Sequence, residues 1–349
     1  MKDKKLLWGY NKVHQLQGED SMQKFLEATK YIDYNEEEMK EALCALIEEE
    51  DTELYEELIR KQEIKEPIFA EEALKQGIFC PATLYKDASP KVRDQLIALL
   101  EEGETDTFNV NGILLALATI GDDVVLKTFQ KWEKNPLPWR EKLNAGPARY
   151  ALEGGWCIED GRKKELLYDK CFAIQKCESC EKEKNLYGGL TEDRCPECGF
   201  KYEDILVLDG KDPRLDFLGI DGKIKIKTCK ECILWEPYIF CKYEENGESK
   251  VICQENGEGT TTEDEDFYKE SYFVISEEAV PKHHCSRWEG SAIGGVPEYV
   301  NDANYADCPE CGKKMKHLAQ LGEEYTGYGN IYVQICKECK IAATSYQQS

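Results

Sequence analysis

In the first half of the chain, apolar residues recur at helical spacing. Between 36 and 50, Met39, Leu43, Leu46 and Ile47 fall at i, i+4, i+7 and i+8, one face of an amphipathic helix. Asp51 is an N-cap candidate, and Leu54 and Leu58 one turn apart suggest a short helix behind it. Ser89-Pro90 reads as a cap followed by proline at the first helical position, with Val92, Leu96, Leu99 and Leu100 as the buried stripe. A further helix is expected over about 111–120, ended by Gly121. Asp122 or Asp123 caps the next, whose stripe is Val125, Phe129 and Trp132 and which Pro136 and Pro138 stop.

The second half alternates instead. Lys223-Ile224-Lys225-Ile226-Lys227, Tyr272-Phe273-Val274-Ile275 and Ile331-Tyr332-Val333-Gln334-Ile335 read as strands. The lysine strip is expected to be a strand with a solvated face rather than a nucleic-acid patch. Residues 255–266 carry glycines, threonines and acids and read as a loop; their spacing does not match an EF-hand calcium loop. Cysteine usage changes at the same place. Only Cys44, Cys80 and Cys157 precede residue 171, and the other 14 of the 17 lie from Cys171 onward. A boundary near 160–175 is expected.

At 349 residues the chain has room for two or three domains. No stretch approaches 18 consecutive apolar residues, and the basic start Met1-Lys2-Asp3-Lys4-Lys5 lacks the apolar core of a secretory signal. A reducing, cytoplasmic setting is therefore expected, where paired cysteines bind metal more often than they form disulfides. The net charge of −24 counts against a phosphate backbone as partner and suits a basic protein.

Ten cysteines form five C-x-x-C pairs: Cys177/Cys180, Cys195/Cys198, Cys229/Cys232, Cys308/Cys311 and Cys336/Cys339. Two thiolates three positions apart on a tight turn reach one tetrahedral ion, and two such turns make a Cys₄ site. The first two pairs are 14 residues apart and the last two 24, and each couple is expected to hold one zinc, with iron as the rival metal. Gly199, after the second pair, permits the chain reversal that turns amides toward sulfur. Cys229/Cys232 has no evident mate. A third zinc is expected if Cys241, Cys253, Cys285, His283 or His284 completes it, with His283-His284-Cys285 the best local source of ligands. The alternatives are that this pair displaces another in one of the two sites, or that its thiols stay free. A redox dithiol is disfavoured, since Ile233-Leu234-Trp235-Glu236-Pro237 offers no helix behind it.

No catalytic triad, P-loop or H-E-x-x-H motif is present. The four histidines are His14, His283, His284 and His317. His317, between Met315 and Leu318, reads as a packed residue rather than a base. The expectation is a protein that is not an enzyme.

Three resemblances extend this reading. Cys177-Glu-Ser-Cys180 with Cys195-Pro-Glu-Cys198-Gly199 resembles a rubredoxin-type zinc ribbon. The helical pairs over about 35–160 resemble HEAT-like repeats, which implies an α-solenoid with a binding surface. Gly294-Gly295-Val296-Pro297, Cys308-Pro309-Glu310-Cys311-Gly312, Leu318-Ala319-Gln320-Leu321 and the segment from Gly329 to Tyr346-Gln347-Gln348 resemble the YwqG-like family of uncharacterised bacterial proteins. That family implies a β-rich fold and no established reaction. Tyr299 departs from it, standing where members usually carry tryptophan. The reading is an α+β multidomain protein, with helical repeats over 1–165, a zinc ribbon over 171–210 and a β-rich domain over 215–349. It is expected to bind another protein; the resemblances imply an immunity protein facing a basic toxin. A zinc-ribbon nucleic-acid binder is the alternative, and a metal- or thiol-dependent enzyme the more remote one. No small-molecule substrate is implied.

Overall fold

The computed structural model describes residues 68–252, 271–285, 290–326 and 329–348. The helices expected between 36 and 58, the acidic loop at 255–266 and Cys253 lie outside them. The chain divides into two compact units after Tyr150.

The first unit is helical. Its described helices are α1 (Ile68–Gln76), α2 (Pro90–Glu101), α3 (Thr107–Ile120) and α4 (Asp123–Lys134). Ser89 caps α2 through its hydroxyl, which accepts the Val92 amide, and Val92, Leu96 and Leu100 are buried as the stripe demands. Helix α3 starts four residues before the expected point. Asp106 accepts the amides of Phe108 and Asn109 there, a cap that the neighbouring threonines obscure in the sequence. Gly121 ends α3 in the left-handed conformation at φ 52°, and Asp122 caps α4. Phe129, Trp132 and Trp139 fill the interior, with the two tryptophans edge to face at 5.7 Å. The last helix, α5 (Pro147–Glu153), spans the division between the units.

The second unit is built on antiparallel sheets. A hairpin of β1 (Trp156–Glu159) and β2 (Arg162–Glu165) opens it. A three-stranded sheet joins β4 (Gly189–Arg194), β5 (Lys201–Asp209) and β6 (Lys223–Thr228) in that order. An eight-stranded sheet runs β8-β7-β13-β12-β11-β10-β3-β9. Its members are β3 (Cys171–Cys177), β7 (Ile239–Tyr243), β8 (Ser249–Ile252), β9 (Tyr272–Ile275), β10 (Ser291–Gly294), β11 (Lys316–Leu321), β12 (Asn330–Cys336) and β13 (Ile341–Gln347). A one-turn helix α6 (Glu323–Thr326) links β11 to β12. The main core lies between the two sheets. Leu206, Leu208, Ile224 and Ile226 from the small sheet meet Ile174, Phe273, Leu318 and Val333 from the large one.

Segment 296–306 lies outside every strand, and buried side chains of the large sheet satisfy part of its backbone. Gln320 accepts the Glu298 amide at 2.8 Å, Tyr332 donates to the Glu298 carbonyl at 2.7 Å, and Gln334 accepts the Ala306 amide at 2.7 Å. This is why glutamines interrupt apolar strands. Gly294, at φ 74°, starts the segment; a Cβ there would lie 2.2 Å from the Lys170 carbonyl oxygen, so only glycine fits. Tyr299 packs against Tyr305 and Tyr332, with ring centroids 5.7 and 4.6 Å away, and serves the interior.

Candidate metal centres

Each C-x-x-C turn is placed by a strand end. Cys195 and Cys198 form the turn between β4 and β5, and Cys229 and Cys232 follow the last residue of β6. Antiparallel order brings β4's exit, β5's entry and β6's exit to one end of the small sheet, so the four thiols converge. All four sulfurs lie within 4.8 Å of one another, with Cys195 to Cys232 at 3.6 Å and Cys198 to Cys229 at 3.4 Å. A tetrahedral zinc with Zn–S bonds of about 2.3 Å needs sulfurs about 3.8 Å apart, and the group fits.

The second centre repeats this plan in reverse order. Cys336 and Cys339 form the turn between β12 and β13, and Cys308 and Cys311 precede β11, which pairs with β12. These sulfurs are likewise within 4.8 Å of one another, with Cys311 to Cys336 at 3.8 Å.

The turns share a backbone device. Cys195 N–H donates to Phe200 O and Gly199 N–H to Cys195 O; Cys308 N–H donates to Lys313 O and Gly312 N–H to Cys308 O. Gly199 and Gly312 stand at φ 80° and 69°, and Lys340 takes the same region at 53° after Cys339. The turn at Cys229/Cys232 closes differently, running into a single 3₁₀ turn over Cys232–Leu234.

The electrostatics call for a cation. Burial opposes ionisation of Cys195, but the amides of Cys198 and Glu197 and the thiols of Cys232 and Cys198 point at it, and the net shift is downward. Burial pushes Cys229 up to about 12, aided by the Cys198 thiol and the charge of Cys195, and Cys232 rises further. In the second centre the Lys313 amide, against burial, brings Cys311 down. Burial and the neighbouring thiols raise Cys336 to about 11 and lift Cys339 as well. Four thiolates brought this close repel one another, and a dication at their centre offsets that repulsion.

This pairing corrects the ribbon expected from Cys177, Cys180, Cys195 and Cys198. Cys195/Cys198 instead take Cys229/Cys232, the displacement left open by the sequence. Cys177 ends β3, opposite Tyr272 of β9, and Cys180 lies just beyond; the pair belongs to neither group of four. Residues 171–210 therefore close no metal site among themselves. The expected third site also changes. His283, His284 and Cys285 do not join Cys229/Cys232, and Cys285 is buried beside Cys171 and Ala292. Cys241, another candidate mate, is a buried thiol on β7 that accepts the Lys227 amide at 3.4 Å. His317 is packed as expected: it is fully buried, and burial lowers its pKa to about 3.

The lysine strip forms β6, with Lys223 and Lys225 half-buried and Lys227 buried. Lys225 pairs with Asp204 and Lys227 with Asp193, each at 2.9 Å. Sequence reasoning passed over Leu234 and Trp235, which follow the first centre and stand in solvent.

No family model matches the sequence, so the YwqG-like and HEAT-like resemblances gain no support there, and no solved structure matches at a significant level. Among curated proteins the chain is similar to the uncharacterized protein YpfL of Salmonella typhimurium, 32% identical over 282 residues. The match covers 75% of this chain, which spans 64% of that relative's length. Among the described residues no helix is long and apolar enough to cross a membrane.

Proposed function

We propose that the protein is a non-enzymatic, zinc-stabilised scaffold that acts by binding another protein. The observation that carries this reading is the composition of the two centres: four thiols each, enough to fill a tetrahedral ion and leave no corner for water or substrate. Such an ion holds strand ends together and contributes folding free energy rather than Lewis-acid chemistry. The reducing interior of a cell suits these thiols, and the net charge of −24 suits a basic partner. An immunity protein that neutralises a basic toxin in its own cell is the finer form of the proposal. Paired lysines on β6 make the nucleic-acid alternative the weaker one.

Cobalt substitution tests the closed sites. Two Co²⁺ per chain are expected, with tetrahedral thiolate spectra unchanged by azide or cyanide. A spectrum that shifts with added anion reveals an open corner and overturns the reading in favour of an enzyme.

A further inference from the structure

The first centre carries a feature that its structural role does not use. Directly after Cys232, Ile233 turns into the core at 3% exposure, while Leu234 and Trp235 are 46% and 81% exposed. Isolated apolar residues on a surface are ordinary, but a tryptophan this open, beside a leucine, on a turn that carries two thiols of a four-cysteine group is not. The turn is rigid. Ile233 N–H donates to Cys229 O, Leu234 N–H to Glu231 O, and both Trp235 N–H and Glu236 N–H to Cys232 O. The indole is thus held out on backbone already fixed, so docking it costs little further ordering. Tryptophan in that state is the residue type that most often dominates an interface.

The surrounding charge selects the partner. Glu231 and Glu236 flank the tip in sequence, and Glu197 is exposed on the facing turn, which the Cys195–Cys232 contact holds alongside. Among the described residues none of these three carboxylates has an ion-pair partner. Lys230, on the Cys229–Cys232 turn, is drawn away to Glu203 at 2.7 Å and lies 5.4 Å from the Tyr187 ring centroid, and Arg194, at the foot of the facing turn, donates to the Gly199 carbonyl at 2.9 Å. The tip is an exposed indole with a carboxylate on either side of it in sequence.

We propose that the Leu234–Trp235 tip is a docking site for an arginine- or lysine-bearing segment of a partner protein. The cation stacks on the indole while neighbouring basic side chains meet Glu197, Glu231 and Glu236. The carboxylates repel a nucleic-acid backbone. This assignment rests on the protein-binding reading above and names the surface and chemistry of its partner.

The test uses the full chain loaded with zinc and a fluorescein-labelled peptide alternating arginine and leucine, read by anisotropy. A glutamate–leucine peptide and a single-stranded DNA oligonucleotide serve as controls. The arginine peptide is expected to bind, and more weakly as salt rises. Trp235→Ala is expected to weaken it about tenfold, and the double variant Glu231→Lys, Glu236→Lys to a similar degree. Both variants should keep two zinc ions and the wild-type melting temperature, and Trp235→Phe should retain most of the affinity. Equal binding by Trp235→Ala overturns the proposal, as does preference for the oligonucleotide. Failure of acrylamide to reach the Trp235 indole, judged against Trp235→Phe, shows that the chain's own residues cover it and overturns it too. Absence of peptide binding alongside intact four-thiolate cobalt spectra removes this surface and leaves the closed-site reading standing.

Discussion

The two thiol centres are built on the same plan and embedded differently. In both, one C-x-x-C turn closes a hairpin and the other sits on the strand that pairs with it. The first centre belongs to the main core: Cys195, Cys229 and Cys232 are buried in the cluster that holds both sheets together. The second lies in a small cluster of its own with Ala306, Met315, Ile341 and Ala343, and its Cys311 is exposed. The same four-thiol arrangement thus sits inside the core in one place and at its periphery in the other. The free energy of metal binding is folding free energy only for whatever cannot fold without the metal.

The sharpest way to break this contrast is to remove one ligand from each. Structural zinc in small domains contributes on the order of 10 kcal/mol or more, comparable to a domain's whole stability. Cys229→Ser is expected to lose one zinc and, with it, the cooperative melting of the β-rich unit. Cys311→Ser is expected to lose one zinc at a cost of about 2 kcal/mol, roughly 6 °C in Tm. Calorimetry with metal analysis reads both, and equal damage from the two variants would dissolve the distinction. The wild-type protein should show the same asymmetry toward a chelator, releasing one equivalent quickly through the exposed Cys311 side and one slowly.

How the turns pair also shows what the sequence concealed. The 14-residue gap between Cys180 and Cys195 looks better suited to a ribbon than the 30 residues between Cys198 and Cys229. Topology decides otherwise. One strand, β4, separates Cys180 from Cys195, and a single strand carries the chain to the far end of a sheet. Two strands, β5 and β6, separate Cys198 from Cys229, and two more, β11 and β12, separate Cys311 from Cys336. An even number of antiparallel strands returns the chain to where it began. The strand count is available only once β5 is recognised, and Lys201–Asp209 hides it: Tyr202 to Val207 are all buried, so the run lacks alternation, and Glu203 and Asp204 interrupt it with acids. Local signals fared better, because a cap or a turn depends on a few adjacent residues. Ser89, Gly121, Asp122, Gly199 and Gly312 all do what their neighbours imply.

Acid sharpens the comparison from the side of the second centre. His317 lies on β11, the strand that leads from Cys311, and is fully buried, with no hydrogen-bond partner on either ring nitrogen among the described residues. Its folded pKa of about 3, against an ordinary 6.5, means that the unfolded chain binds this proton first. The stability it preserves is complete above about pH 6.5 and is lost as pH falls toward 3, up to about 5 kcal/mol at 1.36 kcal/mol per unit. Thiolate protonation and zinc release act in the same range at both centres. The difference between wild type and His317→Leu isolates the histidine: the variant should show a flatter fall in denaturant midpoint between pH 6.5 and 4. Parallel slopes would mean that water or another group reaches the ring.

The smallest effect tests how the first centre is tied to the large sheet. Thr228, the last residue of β6 before Cys229, is buried, and its hydroxyl lies 2.7 Å from that of Thr344 on β13. Thr344 donates onward to the Ile239 carbonyl at 3.3 Å, which leaves Thr228 as donor to Thr344. The two ends are therefore unequal. Thr228→Val removes a donor and leaves Thr344 with its own proton still bonded, for about 1 kcal/mol. Thr344→Val strands a buried hydroxyl on Thr228 with no acceptor and deprives Ile239 of its side-chain donor, for about 2 to 3 kcal/mol. Both replacements preserve shape, so packing contributes little to the difference. Denaturant midpoints of the two variants, each with two zinc ions retained, should stand in that order. The reverse order would place the proton the other way, with Thr344 donating to Thr228.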